Sequence, residues 1–331
     1  NGRRRTFFYD ASNRRTNEIW WNGTDIVRSM QFTFNGHGRM TSAIDPASRL
    51  QFTFDSLNRQ NSVTQSSVSG MPDFTLTYDH DMRGHITAVR DNWGVEVLLS
   101  YDSRDNTTQR IWQGGTLPGA SLRYAYDAVG RCTNVLRYAD DAGNSPAGFS
   151  AYRYSPDGLV TSILHASAGG DPLAEYGFQA DNARQTTQRL LNGQQSDYRY
   201  DLADQLVGAQ YSDGQSNEEY SYDLNGNRLN AGTEVMTNNQ LAADATFVYN
   251  YDFEGSLTSR SNKVTHATTT YRHDHRNRLE SVVDRDAGGI VTQTVGFTFD
   301  ALNRRIAKSV DGTETHFLLN QEHAWADADG T

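Results

Sequence analysis

Two histidines, His273 and His275, stand two residues apart in "YRHDHRNR". On a strand that spacing turns both imidazoles to one face, as metal ligands require. No third donor accompanies them, so packing and surface roles account for the pair better. Asp284 and Asp286 in "DRDAGG", and Asp327 and Asp329 in "DADG", have the look of calcium loops but lack the spaced acidic partner, and read as turns. The single cysteine, Cys132, reads as a small strand residue with nothing beside it to activate the thiol. Serine, histidine and aspartate are abundant, yet none sits in a nucleophile elbow. No catalytic residue, metal or cofactor is assigned. Trp20, Trp21, Trp93 and Trp112 fall near connecting segments, where rings can stack on sugars.

The chemistry that does recur is an acid followed four residues later by arginine. Arg14, Arg39, Arg59, Arg83, Arg131, Arg278 and Arg304 hold that place, after Asp10, Asn35, Asp55, Asp79, Asp127, Asp274 and Asp300. A planar guanidinium can pair with a carboxylate and stack on a ring at once. These arginines therefore read as struts inside a turn rather than as a row of ligand contacts.

Each acid follows a ring. Tyr9, Phe34, Phe54, Tyr78, Tyr101, Tyr126, Tyr154, Phe178, Tyr200, Tyr222, Tyr251 and Phe299 return about every 24 residues, with His273 in the same place. Self-similarity on that scale marks a repeat array, whose units bury their apolar faces only by stacking on neighbours. A second large apolar residue usually lies two positions earlier, as Phe7, Phe52, Tyr124 and Phe297 do. That spacing shares one face of a strand but not of a helix. A polar stretch such as "DASNRR" or "DAVGRC" follows, rich in residues that cap turns or accept positive φ, and then apolar residues resume at alternate positions. The unit reads as a β-hairpin. Links of variable length, such as "WNGTD" and "YADDAGNSPAG", join the units, and almost no helix is expected.

Composition narrows the classes. The chain has 331 residues, 36% hydrophobic and 11% aromatic, with a mean hydropathy of −0.71. Burial is assigned to rings rather than to a deep aliphatic core, which suits a thin curved sheet. No apolar run is long enough to span a bilayer. A net charge of −10 argues against a nucleic-acid backbone as partner.

"FTFDSLNRQNSV", "YAYDAVGRCTNV", "YSYDLNGNRLN" and "FTFDALNRRIAKSV" resemble RHS repeats, also called YD repeats. These occur in bacterial polymorphic toxins, in the C component of Tc toxin complexes, in wall-associated bacterial proteins and in teneurins. The likeness covers residues 1–331 as one array of about 13 units. The Tyr-Asp pair of the motif matches Tyr9-Asp10, Tyr78-Asp79, Tyr101-Asp102, Tyr126-Asp127, Tyr200-Asp201, Tyr222-Asp223 and Tyr251-Asp252. Tyr154-Ser155, Phe178-Gln179 and Phe34-Asn35 depart from it and are expected to lose part of the acid's turn bonding.

The resemblance implies an all-β fold, in which tandem antiparallel hairpins make a continuous spiralling sheet that forms part of a hollow shell. About 26 strands at about 4.8 Å would give a sheet some 125 Å along its contour, too wide to stay flat. The resemblance further implies a non-enzymatic shell or scaffold from a large secreted or cell-surface bacterial protein. Its partners would be the remaining repeats of the parent and an enclosed C-terminal toxin polypeptide. An adhesion module binding carbohydrate or protein through outer loops is the alternative. The chain is expected to be a fragment of that parent. No segment resembles the closing core that cleaves the chain in toxin members; Asp45-Pro46 and Asp171-Pro172 are isolated pairs within links.

Overall fold

A computed structural model describes residues 2–67, 72–116, 118–181, 184–229, 232–321 and 323–329. Every regular element among them is a strand, 31 in number, and each pairs antiparallel with at least one neighbour in the chain. The hairpin reading of the repeat is thus the fold. The excess over the sequence-based estimate has a simple origin. Two hairpins, Glu234–Val235 with Leu241–Ala243 and Thr313–Asn320 with His323–Asp329, carry no marker ring, and one strand is split into Glu218–Glu219 and Ser221–Tyr222.

A register shift recurs where hairpins approach their turns. It falls between Phe8 and Tyr9, Thr53 and Phe54, Ala125 and Tyr126, Asn250 and Tyr251, and Thr298 and Phe299, directly before the marker ring, whereas after Phe178 it falls between Gln179 and Ala180. One residue of the outgoing strand is left unpaired and the strand twists more strongly. Thr16, Thr133 and Thr258, the unpaired residues, donate their hydroxyls to Phe8 O, Ala125 O and Asn250 O. The bulge is therefore bonded locally rather than left open.

Two expectations need correction. Among the described residues the ladder falls into three runs of pairing. Glu218–Glu219 pairs back to Leu206–Tyr211, Ser221–Tyr222 pairs with Arg228–Leu229, and a third run begins at Glu234. Strands of two residues, flanked by Gly-, Asn- and Asp-rich links, offer few ladder bonds. "DADG" is also not a turn, because Asp327 pairs with Phe317 and Asp329 with Thr315 in the last hairpin. There ladder pairing overrides local turn preference. "DRDAGG" does turn, with Asp286 accepting from the N–H groups of Gly288 and Ile290.

Residues 1–78 and 231–331 make one compact unit and residues 79–230 a second. The first has a packed core of Trp20, Met30, Phe32, Ala43, Leu50 and Ala301, flanked by Phe34, Met40, Phe52 and Leu302. In the second, buried apolar side chains are few and small, among them Ala88, Ala166 and Ala209, and most rings are half-buried. Burial there rests on rings lying along strands, as the composition implies, whereas in the first unit a core forms between sequence-distant hairpins.

Candidate functional site

The turn after Tyr126 shows the unit in full. Asp127 Oδ1 accepts from the N–H groups of Val129 and Arg131 at 3.0 and 2.9 Å, and Oδ2 accepts from Arg131 Nε at 2.6 Å. The Asp127 N–H donates to Arg131 O, and the Gly130 N–H to Asp127 O. The residue three after the acid must take positive φ: Gly130 lies at 88°, and where glycine is absent Asn13, Asn58, Asn277 and Asn303 do the same at 57 to 72°. Asp10, Asp55, Asp274 and Asp300 repeat the arrangement, each with its arginine Nε at 2.7 Å: Arg14, Arg59, Arg278 and Arg304. At Asp102, Asp201 and Asp223 the amides of Asn106, Gln205 and Asn227 replace the guanidinium. Asp252 takes backbone N–H groups from Glu254 and Ser256.

The departing units behave differently from one another. Asn35 caps the N–H groups of His37 and Arg39 as an aspartate would. Ser155 Oγ accepts from the Leu159 N–H, donates to Leu159 O and bonds the Asp157 side chain, so a single hydroxyl stands where a carboxylate offers two accepting oxygens. Phe178 and Gln179 lie within the strand Pro172–Asp181, and the residues that follow it, 182–183, fall outside the described part. Asp79 is a correction: it sits in the strand Phe74–His80 and pairs with Arg90, while the turn opens at Asp81, which caps Arg83 and His85. Tyr78 is therefore the earlier ring of its unit, buried and bonded to Asn320, and Arg83 stands two residues after the acid rather than four. Two adjacent aspartate-bearing dipeptides, "YD" and "HD", compete for the motif, and only the second precedes a glycine in the right place.

Consecutive turns are tied together. Arg14, Arg131 and Arg278 lie 4.9, 4.6 and 4.4 Å from the centres of the next marker rings, Phe34, Tyr154 and Phe299. The same arginines donate to the carbonyls of the next turn-opening residues, Asn35, Ser155 and Asp300. An arginine two after the acid does the corresponding work at Arg83, Arg104 and Arg276, reaching Ser103 O, Ala128 O and Ala301 O. In the other direction the marker hydroxyls of Tyr101, Tyr126, Tyr154, Tyr222 and Tyr251 donate to carbonyls of the preceding hairpin, at 2.7 to 3.0 Å. Ring and arginine thus form a relay along one edge of the strands.

Within the first unit a polar seam joins residues more than 240 apart. Glu18 is fully buried and accepts from Trp20 Nε1 at 2.7 Å and from Arg276 Nε and Nη2 at 3.1 and 2.6 Å, with Arg15 at 2.7 Å. Burial would push its carboxyl up. The bonds from Arg276 and Trp20 outweigh that and hold it below the usual range. Trp20 stacks on His275 with centroids 5.2 Å apart, and Arg28, Arg276 and Arg278 surround its ring. Arg28 binds Asp45 and Phe299 O. None of Glu18, Arg28, Asp45 and Arg276 belongs to the spacing motif, and no sequence signal pairs them.

The other candidates separate. His273 ends the strand Thr268–His273 whereas His275 is in the following turn, its Nε2 donating to Trp21 O, so they do not share a strand face. Among the described residues no three His, Cys, Asp or Glu side chains converge as metal ligands do. Cys132 is half-buried, and burial pushes its thiol up. Ser150 and His165 are bonded at 2.6 Å as cross-strand partners, but Ser150 has no exposed surface through which to meet a substrate. The tryptophans are dispersed: Trp20 is core, Arg4 covers Trp21, Arg110 covers Trp112, and Trp93 alone of the four is widely exposed.

A family model described as Teneurin YD-shell matches residues 180–324. The tRNA3(Ser)-specific nuclease WapA of Bacillus spizizenii is 25% identical over 75% of this chain. The probable deoxyribonuclease RhsA of Dickeya dadantii is 28% identical over 61%. The chain is thus similar, over 180–324, to a YD-shell and, over longer stretches, to RHS-type proteins. It spans 9% and 15% of those two relatives, so their named activities are properties of much longer proteins. Among solved structures, the chain aligns with the Photorhabdus luminescens Tc holotoxin pore at a TM-score of 0.49 and 12% identity, over 96% of itself and 20% of that chain. With a TcdB2-TccC3-Cdc42 crystal structure the TM-score is 0.43 at 11% identity, over 98% and 22%. Among the described residues no helix is long and apolar enough to cross a membrane.

Proposed function

We propose that this array is a non-enzymatic wall segment of a larger secreted or surface bacterial protein, and that the wall encloses a polypeptide such as a C-terminal toxin. The observation that carries this reading is the relay. Hairpins are fixed to their neighbours by a guanidinium on the next ring, at Phe34, Tyr154 and Phe299, or by a tyrosine hydroxyl on a carbonyl of the preceding hairpin, at Tyr101, Tyr126, Tyr154, Tyr222 and Tyr251. A ladder tied in this way resists local fraying, which is what a container needs and a flexible adhesive surface does not. The covered or buried state of Trp20, Trp21 and Trp112 leaves Trp93 as the one tryptophan of the four open to a sugar ring. In the full-length gene product, any sequence held inside should resist added protease until denaturant opens the repeats. Cleavage of that sequence at the same rate before and after opening rules out enclosure.

A further inference from the structure

Four turns carry a large apolar side chain directly after the residue that opens them: Met82, Leu202, Leu224 and Phe253. All four are fully exposed. In the turn opened by Asp300 the same position is Ala301, and it is completely buried on Trp20, Met30, Phe32, Ala43 and Leu50, with Leu302 beside it. Arginines close round that seated tip. Arg28 binds Phe299 O just before the acid, and Arg276 binds Ala301 O. The molecule therefore shows what surface accepts such a tip: the apolar face of YD strands, with rings two residues apart and an arginine placed to take a carbonyl.

We infer that Leu202 and Leu224 are docking knobs that seat on the ring-bearing face of another run of YD hairpins in the same parent polypeptide. The two knobs belong to successive turns, tied by Tyr222 hydroxyl to Leu206 O, so they present a pair. The hairpin behind Leu224 has little strand pairing among the described residues, two positions on each side, and gains from an outside support. Acidic neighbours, Asp201, Asp204 and Asp223, disfavour an anionic lipid surface and suit a face carrying an arginine. The inference goes beyond enclosure, since knobs seat in the same way whether or not anything is held inside.

A photo-crosslinking amino acid at position 202 or 224 of the full-length gene product tests it, with position 302 as reference. The expected adducts are intramolecular and map to strand residues of YD hairpins, as position 302 should map to the strands Asp25–Phe34 or Ser48–Phe54. Adducts to a second copy or to non-repeat sequence, or their absence while position 302 reacts, overturn the proposal. A Leu202→Asp/Leu224→Asp variant of the same product gives an independent reading. Proteolysis within residues 201–227 should accelerate about tenfold, and an unchanged rate rejects the knobs even if crosslinking fails throughout.

Discussion

The guanidinium of Arg131 lies 4.6 Å from the ring centre of Tyr154 while its Nε is bound to Asp127, so one side chain both closes its own turn and covers the next. Lysine can satisfy only part of that, because an ammonium has no planar fork to divide between a carboxylate and a ring. Arg131→Lys should cost nearly as much as Arg131→Ala, about 1 kcal/mol each. Urea unfolding of the two variants checks it; full rescue by lysine would show that charge alone matters.

Gly130 tests the turn geometry. A Cβ there meets only Asn106 Oδ1 at 3.9 Å, so any penalty comes from the φ of 88° and not from a clash. Gly130→Ala should lose about 1 to 2 kcal/mol. Gly130→Asn should lose clearly less, since asparagine already holds the same position in four other turns. Equal losses in the two variants would point to something other than backbone strain.

Glu18 and Arg276 form the centre of the seam and have almost no exposed surface. Glu18→Gln should destabilise by about 3 kcal/mol, because Arg276 is left buried without a counter-charge. Replacing both, Glu18→Leu with Arg276→Met, should cost markedly less than the two single changes added together. Strict additivity in a double-mutant cycle would mean that the pair is not coupled.

Acid should weaken the turns together. The backbone N–H four residues on is the leading reason that Asp10, Asp55 and Asp127 are held below the usual carboxylate range, and the Asn106 and Asn227 amides lead at Asp102 and Asp223. A depressed folded pKa gives stability that is complete above the ordinary value, near pH 4, and is lost as pH falls through the lower folded values. The melting midpoint should be nearly level from about pH 8 to 5 and fall below about 4. A maximum in the melting midpoint at pH 3 would contradict this assignment.

What could be read along the chain were relations confined to a few residues. The acid, the glycine or asparagine three places later and the arginine four places later lie within one turn, so their spacing is visible wherever the unit recurs. Reading failed where two local choices competed. At Tyr78-Asp79 the more familiar dipeptide lies in the strand and Asp81 takes the turn, because only Asp81 is followed at the right distance by Gly84 with positive φ. At "DADG" the partner strand, which no local pattern announces, drew Asp327 into the ladder.

From its residues alone the chain settled that it would be strands, that they would pair with chain neighbours, and that acid, arginine and ring would build each turn, because those contacts close over loops of five or about 24 residues. Tertiary structure decided which of the many similar faces would meet. Glu18 finds Arg276, and Ala301 finds Phe32, across more than 250 residues. In a repeat array every unit offers nearly the same apolar face and nearly the same tip, so local pattern cannot rank the pairings. Only the three-dimensional path of the strands brings one particular tip onto one particular face.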